Sequence, residues 1–422
     1  MAKTLFLILP HILYLITIDV SFCTLTASSP PPYKALVSPI TKDPTTSLYT
    51  IPIDNRRPSV VDLAGPLIWS LCAPDHPTVA CGSKTCAAAA EFRPPNCSSN
   101  TSRPPSDLYK PHCNCTAYPV NPVTRLCAPA DLTLTTVTAN ATDGKNPKYS
   151  IAFSDFVSSC SIKSLLQSLP ASASGVVGLG RSELSLPQQL STEAKYANKF
   201  ALCLPGGGIG VAFFGSGPFY LLPPILPAIS DNLQYTPLIK NPTNPGYYID
   251  VEHIAIALKQ VPFPPDALAL DKRGNGGVAL STVKPYTALR SDIYEPFLKA
   301  YGAATTGIQR MPATEPFDLC FNSSALASTR LGYGVPEIDV MLKGGKNWTV
   351  FGANSMQQVG AETACLAFVD GGAAAAAAVV IGGFQMEDNF LLFDAENSKL
   401  GYSSLLFGRM TTCANFNFTY GV

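Results

Sequence analysis

The chain has 422 residues, of which 46% are hydrophobic and 14% charged, a balance that supports packed cores and excludes a disordered chain. Lysine plus arginine equal aspartate plus glutamate at 29 each, so no net field draws nucleic acid or an anionic membrane surface. The 38 prolines and 31 glycines, set among short Val, Thr, Tyr and Phe runs, predict a mainly β protein of short strands joined by turns.

Residues 1–27 are predicted to be a secretory signal. Lys3 precedes the apolar run TLFLILPHILYLI, and the small and polar residues of SFCTLTASS follow it. Pro10, His11 and Asp19 leave too short an uninterrupted run for a bilayer anchor. A first lobe is expected over 28–213. It opens on SLYTIPI, then SVVDLAGPLIWSLC with Asp62 in its turn, and 116 residues after Asp62 comes GVVGLG, centred on Gly178. The Pro-rich stretch 214–230 is predicted to link it to a second lobe over 231–422. That lobe repeats the plan: GYYIDVEHIAI, then GGVALSTVKPYTALRSDIY with Ser281 in its turn, and 101 residues later VVIGGF with Gly382. Each half thus pairs an apolar strand ending in a polar turn with a later apolar strand whose glycine lets two backbones cross closely. AAAAAAVVI at 373–381 is predicted to be a loop entering a buried strand.

Of the 13 cysteines, Cys23 lies in the signal, leaving twelve, an even number suited to six disulfides in an oxidising compartment. Nine (Cys72, Cys81, Cys86, Cys97, Cys113, Cys115, Cys127, Cys160 and Cys203) fall in the first lobe and three (Cys320, Cys365 and Cys413) in the second. Two odd counts require at least one bridge between lobes; the expected pairs are Cys203 with Cys413 and Cys320 with Cys365, the rest staying open. Metal ligation is not expected, since zinc would need free thiolates, and no cofactor is called for. Glycosylation sequons begin at Asn96, Asn100, Asn114, Asn140, Asn322, Asn347 and Asn417.

The ordered set SLYTIPI, DLAGPLIWSLC, CTAYPVNPVTRLC, KFALCLP, GVALSTVKPYTALRSDIYEPF, GANSM and IGGFQMEDNFLLFD resembles the pepsin-like aspartic proteases of the plant nepenthesin type, and within them the TAXI-type xylanase inhibitors. The resemblance implies a bilobal pepsin-like fold, two β-barrel-like lobes flanking a cleft. An active member would carry D-[TS]-G in both turns, two carboxylates sharing one proton. Here the first turn is Asp62-Leu63-Ala64 and the second Ser281-Thr282-Val283, so the second acid is missing and Leu63, Ala64 and Val283 are expected to distort the turns. YPVNPVT, at 118–124, replaces the usual Tyr-Gly flap tip. Ser281 has neither a G-x-S-x-G frame nor a neighbouring histidine to make it a nucleophile. Asp62 paired with another acid as a glycosidase remains a minority reading.

The expectation is therefore a non-enzyme, a pseudoprotease. The resemblance implies a secreted, monomeric plant-defence protein whose partner is a microbial endoxylanase or related glycoside hydrolase, met by loops of the second lobe. An exposed leucine loop of such inhibitors maps to STRLGYG, with Arg330 and Leu331, and their C-terminal histidine maps to Phe407 or Arg409 in LLFGRMTTC. No histidine stands there, so a target other than xylanase, such as a xyloglucan-specific glucanase, is a second expectation. A non-inhibitory extracellular globulin that binds a peptide or glycan is a third.

Overall fold

The computed structural model describes residues 33–54, 57–94, 97, 113–223 and 227–419. The segment predicted to be a signal, 1–27, the Asn96 and Asn100 sequons and Cys23 lie outside them. Among the described residues no helix is long and apolar enough to cross a membrane. The fold is mainly β; its longest helix, Ser291–Ala304, buries Ile293, Tyr294, Phe297 and Tyr301, residues that recur on one helical face.

Six strands run through the junction of the two halves. Ala35–Lys42 pairs antiparallel with Ile209–Gly215, which pairs with Lys199–Cys203. In the second half Gln234–Ile239 pairs with Lys399–Tyr402, which pairs with Phe390–Asp394. Lys199–Cys203 and Phe390–Asp394 then pair with each other, closing one sheet across both halves. Their sequences, KFALC and FLLFD, are nearly continuous apolar runs because both faces are covered. On one face Phe200 stacks on Phe393 at 4.6 Å, and on the other Phe213 stacks on Phe219 at 4.3 Å.

This sheet revises the linker expected at 214–230. Phe214 and Gly215 close the strand Ile209–Gly215, and Phe219, Leu221, Ala228 and Ile229 are buried beneath the sheet. A free-running connector would expose these side chains, so burial of their apolar area ties the segment down.

In each half the turn-bearing strand lies parallel to a later one, which in turn pairs antiparallel with a third. Pro58–Asp62 runs beside Gly175–Gly178, itself paired with Ile68–Leu71. Val278–Leu280 runs beside Val379–Ile381, itself paired with Thr287–Leu289. A Cβ on Gly178 would fall 2.4 Å from the Gly65 carbonyl oxygen, and one on Gly382 would fall 2.4 Å from the Tyr286 carbonyl carbon. Only glycine permits either crossing.

Six disulfides brace the frame: Cys72–Cys160, Cys81–Cys113, Cys86–Cys115, Cys97–Cys127, Cys203–Cys413 and Cys320–Cys365. Cys203–Cys413 is the bridge between halves that parity required. His76 approaches the sulfurs of Cys72 and Cys160, but both belong to one disulfide and offer no thiolate to a metal.

Candidate functional site: facing turns with one acid, and a second-half loop pair

Asp62 ends its strand with 8% of its surface exposed. Its Oδ1 accepts the Ala64 N–H at 2.9 Å, and its carbonyl oxygen accepts the N–H groups of Gly65 and Leu179. Burial pushes the carboxyl above the usual carboxylate range, against the pull of these amides and of Arg125. Ser281 stands at the matching turn. Its N–H donates to the Ile381 carbonyl, and its Oγ accepts the Val283 N–H at 3.3 Å. Ala64 and Val283 each still donate their N–H to the side chain that opens their turn. Val283 fills space among Leu48, Val60, Leu67 and Trp69 of the first half.

Thr282 locks the turns together. Its hydroxyl donates to the Val61 carbonyl at 2.6 Å and accepts the Leu63 N–H at 3.3 Å. Leu63, fully buried, has no hydroxyl to return the bond, so the clasp is one-sided. A dyad that activates water needs two facing carboxylates. At the two dyad positions stand one carboxyl, Asp62, and one hydroxyl, Ser281, and among the described residues no histidine bonds Ser281 to make it a nucleophile.

Beside Asp62 opens a cleft of about 620 Å³ lined by Trp69, Glu91, Tyr118, Arg125 and Asn244 among others. The flap residues bend over it, held by a residue that sequence reasoning passed over. Asn121 is fully buried; its Nδ2 donates to the carbonyls of Leu165 and Gln167, and its Oδ1 accepts from Val123 and Thr124. Trp69 Nε1 adds a bond to the Val120 carbonyl at 3.2 Å. The only signal in sequence was an asparagine between two prolines, which reads as an ordinary turn.

Of the second-half candidates, Arg330 is exposed and Leu331 half-buried in the turn between Ser328–Thr329 and Gly332–Tyr333. Phe407 and Arg409 are half-buried in the short 3-10 helix Leu406–Arg409. The two loops meet: a Cβ on Gly408 would stand 3.9 Å from Leu331 Cδ2. Met410, 70% exposed, follows in left-handed backbone and was not singled out from the sequence. Of the sequons, Asn347 is exposed and Asn114, Asn140, Asn322 and Asn417 are half-buried.

The paired crossings, the sheet shared between halves and the facing turns define a pepsin-like bilobal fold. An aspartic proteinase from Irpex lacteus shares it with a TM-score of 0.53 at 12% identity, over 90% of this chain and 99% of that one. Within that class the chain belongs to the xylanase inhibitor family, whose N-terminal model matches residues 49–216 and whose C-terminal model matches 246–404. It is 51% identical to a protein of Oryza sativa subsp. japonica named Chitinase CLP, over 92% of each chain. The crystal structure of edgp superposes with a TM-score of 0.83 at 34% identity, covering 92% of this chain and 98% of that one.

Proposed function

We propose that this is a secreted plant-defence protein without protease activity that inhibits a microbial cell-wall-degrading glycoside hydrolase. In this reading Arg330, Leu331, Phe407 and Arg409 enter the hydrolase cleft, with Met410 beside them. The observation that carries it is the approach of Leu331 to Gly408, which unites an apolar-basic surface from two loops 77 residues apart (408 − 331). Arginine forks suit the carboxylates that line glycosidase clefts. Support also comes from the family match over both halves and from the hydroxyl where a second acid would stand. Six disulfides fit an oxidising, extracellular setting. Titrating xylanases, xyloglucanases and chitinases with the purified protein tests the reading; absence of inhibition at micromolar protein sinks it and leaves a binding globulin.

A second reading is favoured by the relative named Chitinase CLP. Asp62, held toward its neutral form by burial, shares the 620 Å³ cleft with Glu91, and glycoside hydrolysis uses one protonated and one ionised carboxyl. Release of sugar from chitin oligosaccharides, lost in Asp62→Asn, would establish it; no release by the wild type removes it.

A further inference from the structure

The loop that carries Phe407 and Arg409 also holds the most exposed sulfur-bearing residue among those described. Met410 has 70% of its surface exposed. Met311 and Met341 are half-buried, and Met356 and Met386 are buried. The twelve described cysteines are all paired in disulfides, and Trp69 and Trp348 are each 2% exposed. An oxidant arriving from solvent therefore meets the Met410 thioether ahead of the other oxidisable side chains described.

The backbone around Met410 is tied on both sides. Its N–H donates to the Leu406 and Phe407 carbonyls, and Leu406 is fully buried. Thr411 is buried too, and its hydroxyl donates to the Leu222 carbonyl. Cys413, also fully buried, is bonded to Cys203. Met410 itself stands at φ 57°, in the left-handed region that glycine occupies at lower cost than any residue with a side chain. The frame thus holds a long apolar side chain out in water, at a backbone position unfavourable for it, next to the surface formed by Leu331, Phe407 and Arg409. An unbranched, polarisable thioether there can fit apolar partner surfaces of differing shape.

We propose that Met410 is a reversible oxidation site that switches this loop surface off, with hydrogen peroxide as the oxidant. A sulfur lone pair attacks one peroxide oxygen, the O–O bond breaks and an S–O bond forms. The departing hydroxide takes the proton of the transferred oxygen and leaves as water, so sulfur is oxidised and peroxide reduced. Thiol-dependent methionine sulfoxide reductases reverse the step. The sulfoxide is polar and chiral, and burying it against a partner no longer gains what an apolar side chain gains on leaving water. The switch rests on the hydrolase-inhibitor reading; the modification site does not.

Peptide mapping by mass spectrometry after graded peroxide treatment of the purified protein tests the site, and inhibition titrations with the same samples test the switch. Sulfoxide should form at Met410 ahead of Met311, Met341, Met356 and Met386. Against a hydrolase that the untreated wild type inhibits, inhibition should weaken about tenfold or more as Met410 converts, and reductase treatment should restore it. Met410→Leu, whatever its own starting potency, should show no change on the same treatment. Oxidation of another of these methionines first overturns the site. Undiminished inhibition by protein fully oxidised at Met410, or an equal loss in Met410→Leu, overturns the switch. If the untreated protein inhibits no hydrolase, the inhibitor reading falls and the switch with it, while the peptide map still decides the site.

Discussion

Thr282 reaches across the junction of the two halves to Leu63. Its hydroxyl accepts the Leu63 N–H at 3.3 Å while donating to the Val61 carbonyl at 2.6 Å. All three groups are buried, and a single oxygen satisfies both backbone partners. Thr282→Val keeps the shape and strands a buried N–H and a buried C=O, which should cost about 1–3 kcal/mol. Thr282→Ser keeps the hydroxyl and should cost much less. Chemical denaturation of both variants checks the difference, and equal losses would assign the effect to packing.

A second tie between halves is ionic. Lys42 Nζ lies 2.6 Å from Glu387 Oε1, and Tyr49 donates to the same oxygen at 2.6 Å. Burial raises the Glu387 pKa against the pull of Lys42 and Tyr49, with Asp388 adding to the rise. With its folded pKa above the unfolded one, Glu387 binds more protons folded than unfolded between those values, so its contribution to stability falls as pH rises through that window. Lys42→Met removes the compensating charge and should cost about 2–4 kcal/mol at pH 7. The loss should shrink as pH falls and Glu387 takes up its proton. Thermal melts of wild type and variant at pH 4 and pH 7 check the sign.

The Cys203–Cys413 bridge closes a separation of 210 residues and anchors the final segment beneath the shared sheet. Replacing both cysteines by serine should cost about 2–5 kcal/mol. The Cys320–Cys365 bridge closes a shorter loop, 45 residues, so replacing both of its cysteines should cost less on the chain-entropy account. Denaturant midpoints of the two double variants test the ordering.

Proteolysis should be absent. The wild type should not cleave denatured globin at any acidic pH, and Ser281→Asp alone should not restore cleavage. The one-sided clasp at Leu63 and the flap pinned by Asn121 remain in that variant. Pepstatin-sensitive cleavage by the wild type would overturn the pseudoprotease reading.

What was legible in the sequence was local or arithmetical. The turns at Asp62 and Ser281, the glycines at 178 and 382, and the cysteine parity can each be read within a few residues or by counting. Thr282 could not be read that way: its partners lie 219 and 221 residues away, and only the shared fold makes them neighbours. The loss of a hydroxyl at Leu63 was visible in sequence, whereas the Ala64 N–H bond to Asp62 was not, because that backbone group is carried by almost every residue. The 214–230 segment read as a linker from its prolines, yet Phe219, Leu221 and Ile229 pack beneath the junction sheet. Asn121 gave only the signal of an ordinary turn, since it matters through the Leu165 and Gln167 carbonyls more than 40 residues away.

The central claim is that the paired loops around Leu331 and Arg409 bind a glycoside hydrolase, and the most direct test is an inhibition titration with point variants. Wild-type protein should inhibit at least one enzyme among bacterial and fungal xylanases, xyloglucanases and chitinases. Leu331→Asp and Arg409→Ala should each weaken that inhibition by about 1–4 kcal/mol while leaving the melting temperature nearly unchanged. Inhibition that survives both substitutions, or a panel in which no hydrolase is inhibited at micromolar protein, would contradict the account.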